Sequence, residues 1–224
     1  MRNFVTAAFL AVLLLAPSAA APVPKDMPTE LEKLFGKPDD PTKLCGYKLD
    51  GTKLVITVPG KVEADSSVLT GAPRTRRQVT GDFEVEVGVS CYLSDGSSDG
   101  HAGVGLAIWS EETTFVMASR LHSPSLEKFT CTLSGRLDTP RDGSFASNGC
   151  DLLPSQASRV KLRREKGVVT VSLSMDNGEV WITLQSREFE LPETVNVGVV
   201  AFNSLKAKLE VTCESLTVTP LGKK

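Results

Sequence analysis

The sequence predicts an all-β fold of antiparallel strands, a sandwich or a barrel, behind a signal peptide and one short helix. Three observations carry this. Apolar residues recur with period two in run after run between Leu54 and Cys213. Tight-turn signals such as Asp50-Gly51 and Asp176-Asn177-Gly178 separate those runs. No helical pattern of crossover length lies between them, which excludes a parallel α/β sheet.

The elements follow in chain order. Arg2 supplies a short positive start, Phe4 to Leu15 is an apolar run, and Pro17-Ser18-Ala19-Ala20 offers small residues for cleavage. That is the layout of a secretory signal peptide over residues 1–20, too short for a membrane anchor. Cleavage after Ala20 leaves Ala21 as the mature start; cleavage after Ala21 would put Pro22 there, which signal peptidase tolerates poorly. No cysteine follows the apolar run, so a lipid anchor is not expected, and the mature chain is read as secreted or periplasmic. Residues 21–44 read as a proline-rich spacer and a short helix. Thr29 is placed as its cap and Glu32 as the return arm of a capping box. Leu31, Leu34 and Phe35 form its apolar face, Gly36 ends it, and Pro38 and Pro41 forbid continuation.

The β domain spans residues 45–220. Leu54, Ile56 and Val58 alternate with Val55 and Thr57. Phe83, Val85, Val87 and Val89 alternate with Glu84, Glu86 and Gly88. Val104, Leu106 and Ile108 alternate with Gly105, Ala107 and Trp109. The same rhythm returns at Val169 to Leu173, Val195 to Val199 and Leu209 to Cys213. One-sided alternation means strands with one face on a core. Glu165-Lys166-Gly167 and Asp176-Asn177-Gly178 mark two consecutive hairpins. Segments 94–101 and 138–157, rich in Ser, Gly, Asp and Pro, break the rhythm and read as long surface loops.

Composition narrows the partners. The chain has 224 residues, a hydrophobic fraction of 41% and a net charge of −2. That apolar content builds a core and argues against global disorder. Acids and bases are interspersed, so nucleic acid is not an expected partner. Arg74, Arg76 and Arg77 form the densest basic cluster and read as a solvated strand face. No second long apolar run exists, so no membrane contact is expected of the mature form. Five cysteines follow the leader: Cys45, Cys91, Cys131, Cys150 and Cys213. Export permits disulfides, yet the odd count leaves at least one thiol outside an intrachain pair. No C-x-x-C pair points to zinc or thiol redox chemistry. Cys91, Cys131 and Cys213 share the phase of apolar neighbours and read as inward-facing; the pairing stays open.

Several segments carry a resemblance through their order. They are Ala72-Pro73-Arg74 with Val79-Thr80-Gly81-Asp82-Phe83, Ala102 to Trp109, Val160 to Arg164, Ser174 to Trp181, Leu191-Pro192, and Val197 to Ala201. Together they resemble a domain family of the concanavalin A-like lectin/glucanase superfamily. That family is sometimes labelled "regulation of enolase" and is related to the C-terminal sandwich of some β-xylosidases. The resemblance covers about residues 45–220 and implies a concanavalin A-like jelly-roll sandwich of two curved antiparallel sheets. It implies no activity. It does make carbohydrate, or another extracellular polymer, the leading ligand class.

Candidate chemistry is sparse. Glu84 and Glu86 share one strand face, as paired acids do in some glycanases, but Gly88 and Ser90 stand where a third acid is needed. Trp109 and Tyr92, with Trp181, are candidates for stacking on sugar rings; Trp109 is opposite in phase to Val104, Leu106 and Ile108. Asp95, Ser97 and Asp99 before Gly100 resemble half of a calcium loop, with Leu106 where a bidentate Glu belongs; calcium is the one cofactor left open. Ser174-x-Asp176-x-Gly178-x-x-Trp181 resembles a sialidase Asp-box, in which the carboxylate caps a turn; its expected role is structural. His101 and His122 lie apart and near no nucleophile, so neither a triad nor a metal pair is read there. The expectation is a non-catalytic binding module. The rivals are a glycan-active hydrolase, requiring an acid pair in a groove, and a structural or protein-interaction domain.

Overall fold

The computed structural model describes the backbone of residues 27–62, 69–93, 100–123, 128–136, 144–152 and 158–222. Two seven-stranded antiparallel sheets dominate it. The first runs, in spatial order, β1 (Lys37–Asp39), β4 (Arg74–Thr80), β13 (Thr194–Asn203), β6 (Ala102–Glu111), β7 (Thr114–Ser123), β8 (Lys128–Arg136) and β9 (Ser144–Leu152). The second runs β12 (Ile182–Glu188), β11 (Val168–Ser174), β10 (Ser158–Glu165), β5 (Phe83–Leu93), β14 (Leu209–Pro220), β3 (Lys53–Val58) and β2 (Gly46–Asp50).

The period-two residues build the space between the sheets. In the second sheet, Val85 and Val87 register with Leu162 and Val160, and Leu54 and Ile56 with Cys213 and Val211, all buried. In the first, Val104, Leu106 and Ile108 share rows with Ala201, Val199 and Val197. Arg120 lies in the Val104 row and donates from Nη1 to Ser158 Oγ on β10, which identifies that face as the one turned to the second sheet. Burying these aliphatic side chains is the main stabilising term, about 1.5–3 kcal/mol each.

The middle of the first sheet, β6, β7 and the adjoining part of β13, is buried on its other face too. Trp109, Phe115, Met117 and Phe202 are buried there: Phe202 stands opposite Gly103, and Met117, opposite Ala107, neighbours Gly105 along the same face. An added Cβ at Gly105 would stand 2.7 Å from Met117 Cγ. This is the close approach for which a strand glycine is used.

Four local readings change. The helix α1 spans Met27–Phe35, so Thr29 lies inside its first turn and is not its cap. Pro28 tolerates that place because a first-turn residue needs no N–H partner. Residues before Cys45 also do more than space: Leu31 and Phe35 are buried in the core, and β1 extends the first sheet along β4. The stretch 138–157, read as a loop, contains β9, which pairs with β8. An edge strand has one neighbour and can be polar, so alternation does not reveal it. Arg74, read as solvated, is 6% exposed. Its Nε donates to Asp39 Oδ2, its Nη1 to the Leu69 carbonyl and its Nη2 to Glu112 Oε1, and these partners offset its desolvation. Arg76 is exposed, and Arg77 donates to the Lys33 carbonyl near the helix end.

Candidate functional site

The outward face of the second sheet gathers most of the unspent polar chemistry. On β5, Glu84, Glu86, Gly88, Ser90 and Tyr92 alternate with Phe83, Val85, Val87 and Val89 of the core. The neighbouring β10 sets Arg163 opposite Glu84, Lys161 opposite Glu86 and Arg159 opposite Gly88. An acidic row therefore lies beside a basic one. Lys161 Nζ sits 2.9 Å from Glu84 Oε1 and 3.5 Å from Glu86 Oε2, and Arg159 Nη2 is 2.9 Å from Glu86 Oε1. Lys161 Nζ also stands 4.0 Å from the centroid of the Trp181 ring. The ammonium occupies the ground between the two acids, where a glycosidase would hold the scissile oxygen.

The hairpin after β11 closes one side of this face. Ser174 Oγ donates to Asp176 Oδ1 at 2.6 Å and accepts from Gly178 N at 2.8 Å; Asp176 Oδ1 also accepts from Val180 N at 2.9 Å. Asn177 and Gly178 take φ of +62° and +97°, which a turn of this kind requires and glycine adopts without strain. Trp181 Cζ2 lies 3.8 Å from the point where a Gly178 Cβ would be, so the indole rests against the turn. The bond from Ser174, and then that from the Val180 amide, hold the Asp176 carboxyl below its ordinary value of 3.8. A depressed folded value means the carboxylate stabilises the turn fully above that ordinary value and loses its contribution as pH falls through the lower one. A side-chain titration of Asp176 by NMR is expected to give a midpoint below 3.8. A midpoint at or above it would mean that these bonds do not form in solution.

Between this turn and the sheet lies a pocket of about 310 Å³. Gly88 is in its floor, and Ser90, Arg159, Met175, Asn177 and Glu214 contribute to its walls. A Cβ at Gly88 would meet Glu214 Cβ at 3.3 Å and Arg159 Nη1 at 3.5 Å, so the bare backbone keeps the floor low. Asp176 and Ser158 line it as well, so one guanidinium, two carboxylates, an amide and two hydroxyls stand beside a thioether. Glu214 is tied to Lys53 across the sheet. Tyr92 is 70% exposed on the same outward phase of β5 as Ser90, and Met175, Val180 and Ile182 are exposed around the hairpin. Arg159, Met175, Asn177 and Glu214 were not among the sequence candidates. Their phase was readable, but that β10 and β14 flank β5 was not.

The aromatic candidates part company. Trp109 lies in the first sheet, 3% exposed, with the Arg74 guanidinium 5.9 Å from its ring centroid. It is outward in phase yet offers no open face to a sugar. Arg74 also holds the Glu112 carboxyl below its ordinary value by donating to it. Trp181 is half-buried, its ring approached by Lys161. Asp95, Ser97 and Asp99 lie outside the described residues, as does the signal segment. His122 registers with Ala102, so the fold brings it near His101, which sequence distance did not suggest. Cys213 is buried and Cys91 half-buried, and burial pushes both thiols up.

No known family's sequence pattern matches the chain, and no curated protein matches it. Solved structures do match its architecture. A functionally unknown protein from Saccharomyces cerevisiae superposes with a TM-score of 0.65 at 15% identity, covering 79% of this chain and 93% of that one. The alginate lyase from Klebsiella pneumoniae gives 0.58 at 10% identity over 80% and 85%. A legume lectin-like domain from Entamoeba histolytica gives 0.55 at 7% identity over 87% and 93%. At such identities the likeness concerns the fold alone. The chain has the fold these structures share, a jelly-roll sandwich of two antiparallel sheets.

Proposed function

We propose that the protein is an exported, non-catalytic sandwich that binds carbohydrate or an extracellular polymer on the outward face of its second sheet. The observation that carries this is the Gly88-floored pocket, with Arg159, Asn177, Glu214 and Ser90 in its walls and Tyr92 exposed on the same face. Paired hydroxyls are recognised by planar amides, carboxylates and guanidinium groups, and sugar rings pack on aromatic faces. The alginate lyase and the legume lectin-like domain share the architecture, which supports the ligand class. Kinship with the sandwich family labelled "regulation of enolase" belongs to the same reading, supported by the order of the motifs. Export rests on the residues Arg2 to Ala20.

The hydrolase reading has less behind it. Glu84 and Glu86 are engaged by Lys161 and Arg159, and no third acid joins them on β5. The test is a glycan array with the purified protein, followed by calorimetric titration of the best sugar. Arg159→Ala and Tyr92→Ala are each expected to weaken that binding by about tenfold or more, the loss of one charge-assisted bond or one stacking face. Binding unchanged in both variants would remove the site from this face. Turnover of the bound glycan that Glu84→Gln abolishes would replace the binding reading by the enzymatic one.

A further inference from the structure

We propose that Cys131 and Cys150 form a disulfide that staples the last two strands of the first sheet. The backbone register sets Cys131 of β8 directly opposite Cys150 of β9. Directly opposed residues of an antiparallel pair have Cα atoms about 4.5–5.5 Å apart. Disulfides span about 4.4–6.8 Å between Cα atoms, so this register suits the bond without backbone movement.

The other cysteines are placed differently. Cys91 and Cys213 lie on neighbouring strands, but Cys91 registers with Val211 and Cys213 with Val89. They are diagonal neighbours, about 7–8 Å apart, beyond the reach of an unstrained disulfide. Cys45 precedes β2, and burial, with Asp40 beside it, pushes its thiol up to about 11. Cys45, Cys91 and Cys213 are free thiols, so the odd count resolves into one pair and three thiols.

The position gives the bond a task. β9 is the outer strand of its sheet and pairs with β8. The register shifts right after the cysteine pair, from Cys131 opposite Cys150 to Thr132 opposite Asn148, so Gly149 is the extra residue of a bulge. A weakly patterned edge strand is prone to slip, and a covalent link beside the bulge fixes its register.

The chemistry is thiol–disulfide exchange with a low-molecular-weight disulfide or a disulfide oxidoreductase. One cysteine thiolate attacks the donor disulfide and releases the first thiol, leaving a mixed disulfide. The second thiolate attacks the protein sulfur of that bond and releases the second thiol. Two cysteine thiols are oxidised, the donor disulfide is reduced to two thiols, and the two protons leave with them. The opposed positions of the two cysteines on paired strands make this step intramolecular. In the cell the oxidant is supplied by the export reading above.

The experiment is independent of export. Purified protein is equilibrated with glutathione and glutathione disulfide, denatured, alkylated without reduction and digested with trypsin. Peptides 129–136 and 142–159 carry one cysteine each. They are expected as one linked species that separates on reduction, with alkylated Cys45, Cys91 and Cys213. In Cys131→Ser, Cys150 is expected to become alkylated and the thermal midpoint to fall, with glycan binding on the other sheet unchanged. Alkylated Cys131 and Cys150 in the natively folded wild-type protein, or either one linked to a different cysteine, overturns the proposal. Loss of glycan binding with the link intact counts against the binding reading and leaves the staple standing.

Discussion

Gly198→Ala is expected to lower the stability of the protein by about 3 kcal/mol or more, at the upper end for an overpacked position. Gly198 lies on β13 where β4 passes closest. A Cβ there would stand 1.8 Å from the Thr75 carbonyl oxygen and 2.7 Å from its carbon. Those are backbone atoms, which cannot swing aside as a long side chain can. The ladder between β13 and β4 runs from Thr194 opposite Thr80 to Val200 opposite Arg74 with a gap at Gly198 and Val199, where Val199 N donates to Thr75 Oγ1 at 3.1 Å. Making room means parting the two strands and shifting Arg74 away from Asp39, Glu112 and Trp109. Denaturant unfolding followed by tryptophan fluorescence measures the change. A cost under about 0.5 kcal/mol, the range of neutral surface changes, would show that the strands do not approach so closely.

Asn203→Ala is expected to cost about 3 kcal/mol or more, because one buried side chain serves four backbone groups. Its Nδ2 donates to the carbonyls of Val58 at 3.3 Å, Pro59 at 3.1 Å and Ala207 at 2.8 Å, and its Oδ1 accepts from Leu205 N at 3.1 Å. The amide thus joins the end of β13, the end of β3 and the chain that leads into β14. Alanine leaves buried backbone groups without partners, at about 1–3 kcal/mol for each that water cannot reach. Asn203→Asp keeps the acceptor but places a carboxylate against three carbonyls, and is expected to be at least as damaging. Hydrogen exchange localises the effect: the Leu205 amide is expected to lose protection before the centre of the second sheet does. Protection of Leu205 unchanged in Asn203→Ala would mean that another group holds this corner.

Alternation and turn chemistry are local properties of the chain, and they made the strands from Leu54 to Cys213 legible. The side chain of each successive strand residue turns to the opposite face, so Glu84, Glu86, Ser90 and Tyr92 could be assigned to one side of β5 before any neighbour was known. The Asp176 turn was readable for the same reason, since a carboxylate, a positive-φ glycine and their spacing act within a few residues. β9 was missed because an edge strand bears no obligatory apolar face. Arg74 was misplaced because its burial depends on Asp39, Glu112 and the Leu69 carbonyl, which come from separate parts of the chain. The candidate site divides along the same line. That Glu86 faces outward follows from period two; that Lys161 and Arg159 meet it depends on β5 lying beside β10. Trp109 had the outward phase of a ligand platform, yet the middle of the first sheet, where it lies, is packed on both sides. Phase is set by the geometry of a single strand, whereas adjacency and cover are set by which distant strands bury one another's apolar faces.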